Sequence, residues 1–164
     1  AVSDEHMRRI EADEMHRSPP ETIDRDNVRS MYFVETGPRL GGHDDVPETL
    51  FMPFTEPVSE EDDEEFNRWY QEVHLPEVLD VPGFSAASRY KETGMNMTGR
   101  PWPINFPYLA LYELGDGTKE AFDNAMKELR RRISEGDRME ISDALGSDKI
   151  TQVYSRITDR IIAI

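Results

Sequence analysis

The 164-residue chain contains no cysteine and has far fewer basic than acidic residues. The missing cysteine excludes disulfide bonds, cysteine-ligated zinc or iron–sulfur centres and a thiol nucleophile. No apolar run approaches the roughly 18 residues that span a bilayer, so we expect no contact with a membrane. The first residues, AVSDEH, are polar, which favours a cytoplasmic protein without a secretory signal.

The formal net charge of −15 is concentrated near the N-terminus. Residues 1–65 contain 19 acidic and 6 basic residues, whereas residues 66–164 contain 15 and 13. A chain this acidic repels a phosphate backbone, so we expect no nucleic-acid partner. The length corresponds to one domain with an arm. We expect an acidic N-terminal arm over residues 1–47, containing a helix, a linker and a short strand, and a domain over residues 48–164.

The alternation of apolar residues and the positions of Gly and Pro predict six elements after residue 48. Strands are predicted over 49–55, 84–91, 108–114 and 150–157, and helices from a capping box at Ser59 to His74 and over 118–134. A turn over 76–81 and a short helical stretch over 138–145 complete the prediction. The order β-α-β-β-α-β indicates a ferredoxin-like α+β fold, with an antiparallel sheet covered by two helices on one face. The other face needs a cover, so we expect a homodimer.

The stretch EEFNRWYQEVHLPEVLDVPGFSAASRY, residues 64–90, resembles the EthD-like and antibiotic-biosynthesis-monooxygenase-like families of the dimeric α+β barrel superfamily. The resemblance covers about residues 48–158. The positions that carry it are Asn67, Trp69, Tyr70, His74, Pro76, Pro82, Gly83 and Phe84. It implies a dimeric barrel with a ligand cleft between the helices and the concave sheet face. Because this superfamily includes monooxygenases, cyclases, isomerases, decarboxylases and haem-dependent enzymes, the resemblance does not imply one reaction.

His74 is the first candidate for chemistry, because it is the only histidine of the barrel domain and imidazole exchanges protons near neutral pH. Asn67, Tyr70 and His74 are spaced i, i+3 and i+7 and share one helical face. Tyr70 can stabilise a developing oxyanion, and Asn67 can bind a substrate carbonyl. The alternatives are a structural His74 that caps the helix and a Tyr70 that belongs to the core. We expect His74 at the rim of the cleft.

A strand and a loop supply the other candidates. Alternation on the strand over 84–91 places Phe84, Ala86, Ser88 and Tyr90 on one face and Arg89 on the other. If Arg89 is buried, it needs a carboxylate partner or an anionic ligand. The loop over 92–107 is long and apolar, so Met97, Trp102 and Phe106 are predicted to line an apolar or aromatic ligand pocket. The alternative is a flap that seals the core or the dimer seam.

These features predict a small cofactor-independent enzyme of lyase, isomerase or cyclase type that acts on an apolar or aromatic oxygenated metabolite. His74 would be the general acid or base, and Tyr70 its partner. The binding residues would be Asn67, Arg89, Met97, Trp102 and Phe106. No metal site is expected, because no second histidine accompanies His74. Three alternatives stay open: a cofactor-free monooxygenase, a non-enzymatic ligand-binding dimer, and a haem-dependent enzyme with His74 as axial ligand.

Overall fold

An antiparallel sheet with helices on one face forms the part of the chain that the structure describes. The structure is a computed structural model, which describes residues 24, 30–42, 46–95 and 106–157. The strands are β1 (Phe33–Glu35), β2 (Leu40–Gly41), β3 (Thr49–Thr55), β4 (Phe84–Glu92), β5 (Tyr108–Leu114) and β6 (Ile150–Ser155). The helical segments are α1 (Asp63–Trp69), a π-helical segment (Tyr70–His74), α2 (Leu75–Leu79) and α3 (Lys119–Glu135).

The strand order confirms the predicted fold class. From residue 49 the element order is β-α-β-β-α-β, and the strands lie side by side as β4-β5-β3-β6, with every pair antiparallel. This is the arrangement of a ferredoxin-like α+β fold. The short strands β1 and β2 both pair with the outer edge of β4. They come from the segment predicted as an arm, and the division of the chain at residue 47 remains a prediction.

The first helix extends further than the sequence predicts. Ser59 Oγ donates to the Asp62 carboxylate at 2.7 Å, and the helix begins at Asp63. It then continues through the π-helical segment into α2 and ends at Leu79, so the predicted turn over 76–81 is wrong as far as Leu79. Pro76 has no backbone N–H to donate, and Leu75 N, directly before it, bonds to Tyr70 O five residues back. The wider turn of the π-helical segment precedes it and keeps the helix continuous.

The predicted helical stretch over 138–145 is also wrong. Thr118 Oγ1 caps α3 by accepting a bond from Ala121 N, and α3 ends at Gly136, whose φ is 64°. The chain then runs in an irregular path, because its backbone bonds to the segment before the first helix. Val58 N donates to Ala144 O, and Gly146 N donates to Glu56 O, each at 2.9 Å.

Most of the core lies between the helices and the sheet. A β-bulge between Phe84 and Ala86 changes the alternation of β4. Phe84 therefore packs on the helix side with Ala87, and its ring centre lies 5.6 Å from that of Tyr112. The prediction that placed Phe84 on one face with Ala86 is wrong for this reason.

The opposite sheet face is partly covered by the chain itself. Phe54 and Leu109 are buried there, with only 2% and 5% of their surfaces exposed. Phe33 and Phe106 pack against them, and the ring centres of Phe33 and Phe54 are 6.3 Å apart. Within the described ranges, no helix has the length and apolar character needed to cross a membrane.

Candidate functional site

Arg89 lies at the centre of the candidate site. It projects from β4 towards the first helix, and only 1% of its surface is exposed. Its Cζ lies 4.0 Å from the centre of the Tyr70 ring, and Phe66 and Tyr108 lie at 4.9 and 5.1 Å. Burial lowers the pKa of Arg89, but a guanidinium group stays protonated in proteins. A full positive charge is therefore held among aromatic rings, an arrangement that cation–π attraction stabilises.

A chain of hydrogen bonds fixes one end of this guanidinium group. Arg89 Nη1 donates to Asn67 Oδ1 at 2.9 Å. Asn67 Nδ2 donates to the Asp63 carbonyl oxygen at 2.7 Å and to the Tyr108 hydroxyl at 2.9 Å. The Tyr108 hydroxyl in turn donates to Asp63 Oδ1 at 2.6 Å, and Lys91 Nζ lies 3.7 Å from the same oxygen. The network holds Asn67 with its carbonyl oxygen towards Arg89.

Several buried polar atoms near Arg89 have no hydrogen-bond partner among the described residues. They are Arg89 Nε, Arg89 Nη2, Thr55 Oγ1, Tyr112 OH and His74 Nδ1. An unpaired buried donor or acceptor typically costs about 1–3 kcal/mol, so native proteins rarely keep such atoms without a reason. Five of them lie in one region, which makes this region the candidate site.

Tyr70 is the common neighbour of these unpaired groups. Besides Arg89, its side chain interacts with the hydroxyl groups of Tyr112 and Thr55, although neither of those hydroxyls forms a hydrogen bond of good geometry. Burial raises the pKa of Tyr70, and the charge of Arg89 opposes this rise. Burial also raises the pKa of Tyr112. Both phenols are therefore protonated at neutral pH and available as hydrogen-bond donors.

His74 lies deeper than the rim position that the sequence predicts. The residue is half-buried, and its ring stacks on Trp69 with centres 4.8 Å apart and meets the Tyr70 ring edge-on at 4.9 Å. Burial, together with the positive charges of Arg89 and Lys149, lowers the pKa of His74 to about 4. The imidazole is therefore neutral at neutral pH. Since Nδ1 has no partner in the described part of the chain, a capping role through that atom is not observed.

Tyr70 and His74 lie at the two ends of the π-helical segment. Such segments occur frequently at functional sites. The sequence spacing places both residues with Asn67 on one helical face. The structure brings all three, together with Arg89, into one buried region.

The structure does not bring every predicted residue to this region. Phe106 packs on the opposite face of the sheet with Phe54 and Leu109. Met97 and Trp102 lie outside the described residues. Sequence reasoning missed Thr55 and Tyr112. The alternation of β5 could have found Tyr112, since it is on the same face as Tyr108.

The haem alternative receives no support from the described residues, where Nδ1 of His74 is packed among aromatic rings. Within these ranges no group of three His, Asp or Glu side chains is arranged to hold a metal ion. His74 Nδ1 is inaccessible, and the ring is packed against Trp69 and Tyr70. An iron could reach Nδ1 only if these aromatic residues moved, so the packing does not fit a haem ligand at that atom.

Comparisons with known proteins give matches among solved structures alone. No protein-family model matches the chain, and no curated protein matches it. Among solved structures, the chain is similar to an anthrone oxidase-like protein, with 15% identity over 99% of this chain and 73% of the other. The TM-score is 0.42, so this likeness carries no conclusion about function. The resemblance to EthD-like and antibiotic-biosynthesis-monooxygenase-like proteins therefore remains a prediction.

Proposed function

We propose that the chain is a small enzyme that transfers protons without a cofactor, acting on an apolar or aromatic oxygenated metabolite. The reaction would be of lyase, isomerase or cyclase type. One observation carries the proposal: a neutral imidazole, two protonated phenols and a buried positive charge meet with unpaired polar atoms in one region. This combination supplies a base and the means to stabilise an oxyanion.

His74 would begin the reaction as a base. Because its imidazole is neutral and Nδ1 is inaccessible, Nε2 would accept a proton from a carbon next to a carbonyl group. The electron pair of the broken C–H bond moves to the carbonyl oxygen and gives an enolate. The hydroxyls of Tyr70 and Tyr112 would donate to this oxygen, and the charge of Arg89 would stabilise it. Return of the proton to another carbon completes an isomerisation.

The low pKa of His74 is compatible with this role. A histidine with a pKa of about 4 is a weak base before the reaction. The charge of Arg89 contributes to that low pKa, so an enolate beside Arg89 would raise the pKa of His74 as the negative charge develops. Proton transfer would therefore become easier in the direction of the transition state.

A generic exchange experiment tests the proposal without knowledge of the natural substrate. The protein is incubated in D₂O with a panel of aromatic ketones, including 1-tetralone and 2-tetralone, and loss of the proton signal next to the carbonyl is followed by NMR. We expect the protein to accelerate exchange, and His74→Gln to reduce the rate by about 10²–10⁴-fold.

His43→Gln is the matched control, because it changes another histidine that lies outside the barrel domain predicted from the sequence. It should exchange at the unaltered rate. Ketones that bind without accelerated exchange would contradict the enzyme proposal and favour the ligand-binding alternative. Full activity of His74→Gln would exclude His74 as the base and leave Tyr70 as the candidate.

The same site also favours a cofactor-free monooxygenase as a second candidate. An electron-rich enolate stabilised by Arg89 is a species that O₂ can oxidise. Oxygen consumption by the protein with anthrone-type or hydroquinone-type substrates would favour this candidate. Proton exchange without oxygen consumption would favour the first.

A further inference from the structure

One edge of the Arg89 guanidinium group has no hydrogen-bond partner among the described residues. The group has five N–H donors, and Nη1 is engaged by Asn67. Nε and one hydrogen of Nη2 lie on the same side of the planar group and point in parallel directions. Both nitrogen atoms are buried, and neither has a partner among the described residues. Two parallel N–H donors form the fork that binds both oxygens of a carboxylate.

No acidic side chain of the described part of the chain occupies this fork. Asp63 is the carboxylate whose charge favours the protonated form of Arg89, but it is bound to Tyr108 and lies beside Lys91. The other groups that act electrostatically on Arg89 are the phenols of Tyr70, Tyr112 and Tyr108. A buried cation without a directly bound anion is costly, so an anionic ligand would remove a specific penalty.

The surroundings of the fork limit the kind of anion. Arg89 supplies the positive charge at the fork, because the phenols and His74 are neutral at neutral pH and Lys91 lies with Asp63. Lys149 acts on His74 and is not among the groups that act on Arg89. A single charge matches a monoanion better than a doubly charged phosphate. The rings of Phe66, Tyr70 and Tyr108 around the guanidinium group favour a flat aromatic ligand.

We infer that the ligand of this site is an aromatic monocarboxylate, whose two carboxylate oxygens accept parallel hydrogen bonds from Arg89 Nε and Nη2. The inference rests on the proposed function, because it names the substrate class of the same site. The inference also gives the residues separate roles. Arg89 anchors the substrate, and the hydroxyls of Tyr70 and Tyr112 stay available for the reacting oxygen.

Matched ligands test the inference on the unaltered protein. Acetate, benzoate and 2-naphthoate are compared with acetamide, benzamide and 2-naphthamide by ligand-detected NMR and calorimetry at constant ionic strength. Each pair has nearly the same shape and differs in charge. We expect the best carboxylate to bind at least about tenfold more tightly than its amide. Equal binding within every pair, or no binding by any carboxylate, would overturn the inference.

Variants then locate the binding to Arg89. Arg89→Lys keeps the charge but removes the fork, so the preference for carboxylate over amide should fall by about tenfold. Arg68→Lys is the control, because Arg68 is exposed and pairs with Glu65, and its preference should be unchanged. An equal effect of both variants would contradict the assignment to Arg89. If Arg89→Lys does not fold, the ¹⁵N-detected Nε–H signal of Arg89 decides, since it should shift downfield with 2-naphthoate and not with the amide.

His74→Gln separates this inference from the proposed function. It should lose proton exchange while keeping the preference for 2-naphthoate over 2-naphthamide. Carboxylate binding without any exchange activity would support the ligand class and contradict the enzyme. Exchange activity on neutral ketones without carboxylate preference would support the enzyme and contradict the ligand class.

Discussion

The charge of Arg89 lowers the pKa of His74, and the side chain of Tyr70 contacts both residues. The positive charge of Arg89 disfavours a second positive charge on His74, and burial of the imidazole acts in the same direction. Arg89 is buried as well, and its direct hydrogen-bond partner is an amide oxygen and not a carboxylate. The stability of the fold and the chemistry of the site are therefore linked through the same two residues.

The pH dependence of stability should report the low pKa of His74. Its pKa falls from the ordinary 6.5 to about 4 in the folded chain, so the unfolded chain binds more protons between these values. The contribution of His74 to the free energy of unfolding is therefore complete above pH 6.5. It decreases as the pH falls towards 4 and stays constant below that. A pKa shift of this size changes the free energy of unfolding by roughly 3 kcal/mol between pH 7 and the lowest pH values.

Urea denaturation at pH 7, 5.5 and 4 measures this contribution. His74→Gln lacks the titrating group, so the difference in free energy of unfolding between the unaltered protein and this variant should change in favour of the variant as the pH falls. If this difference in free energy of unfolding stays constant from pH 7 to 4, the low pKa of His74 is contradicted.

At the scale of elements, local sequence signals predict the strands better than they predict the site. Apolar runs bounded by Gly and Pro predict β3, β4 and β5 to within a residue, because these strands are buried and have turn residues at their ends. The extension of the first helix past Pro76 depends on a π-helical segment, which no periodicity in the sequence indicates. The irregular path over 138–145 depends on backbone bonds to residues 56 and 58, which are distant in sequence.

The candidate site could be predicted in part. Helical spacing groups Asn67, Tyr70 and His74, and strand alternation places Arg89 on the face opposite Tyr90. The bulge in β4 lies before Arg89 and so does not alter that placement. The free edge of the guanidinium group could not be predicted, because it depends on which partners the fold brings to each nitrogen atom.

Gly83 is required at the turn between α2 and β4. Its φ is +107°, and a Cβ atom there would lie 3.1 Å from Ala125 Cβ in α3. Gly83→Ala should therefore lower the free energy of unfolding by about 1–3 kcal/mol, through backbone strain and crowding against α3. Gly115→Ala is the control, because a Cβ at Gly115 meets no atom within 4 Å.

Chemical denaturation of both variants measures the difference. The control should change the free energy of unfolding by no more than about 0.5 kcal/mol. An equal effect of the two substitutions would contradict both the backbone strain and the crowding assigned to Gly83.

For the whole molecule, the question is what covers the outer part of the sheet. Phe33 and Phe106 already pack on the face opposite the helices, so that face is less bare than the element order suggests. The edge strand β6 is different. It pairs only with β3 in the described sheet, and Val153 and Tyr154 are 45% and 49% exposed. An exposed edge strand with apolar side chains is a surface that soluble proteins usually protect.

We therefore keep the prediction of a homodimer and assign its contact to β6. Light scattering at micromolar concentration should give a mass about twice the 19.0 kDa of the chain. Val153→Lys places a charge on β6 and should shift the protein towards the monomer, because charged side chains on an edge strand oppose strand pairing. Val58→Lys changes an exposed apolar residue outside the sheet and should leave the dimer intact. A monomeric mass for the unaltered protein would contradict the dimer, and an intact Val153→Lys dimer would move its contact away from β6.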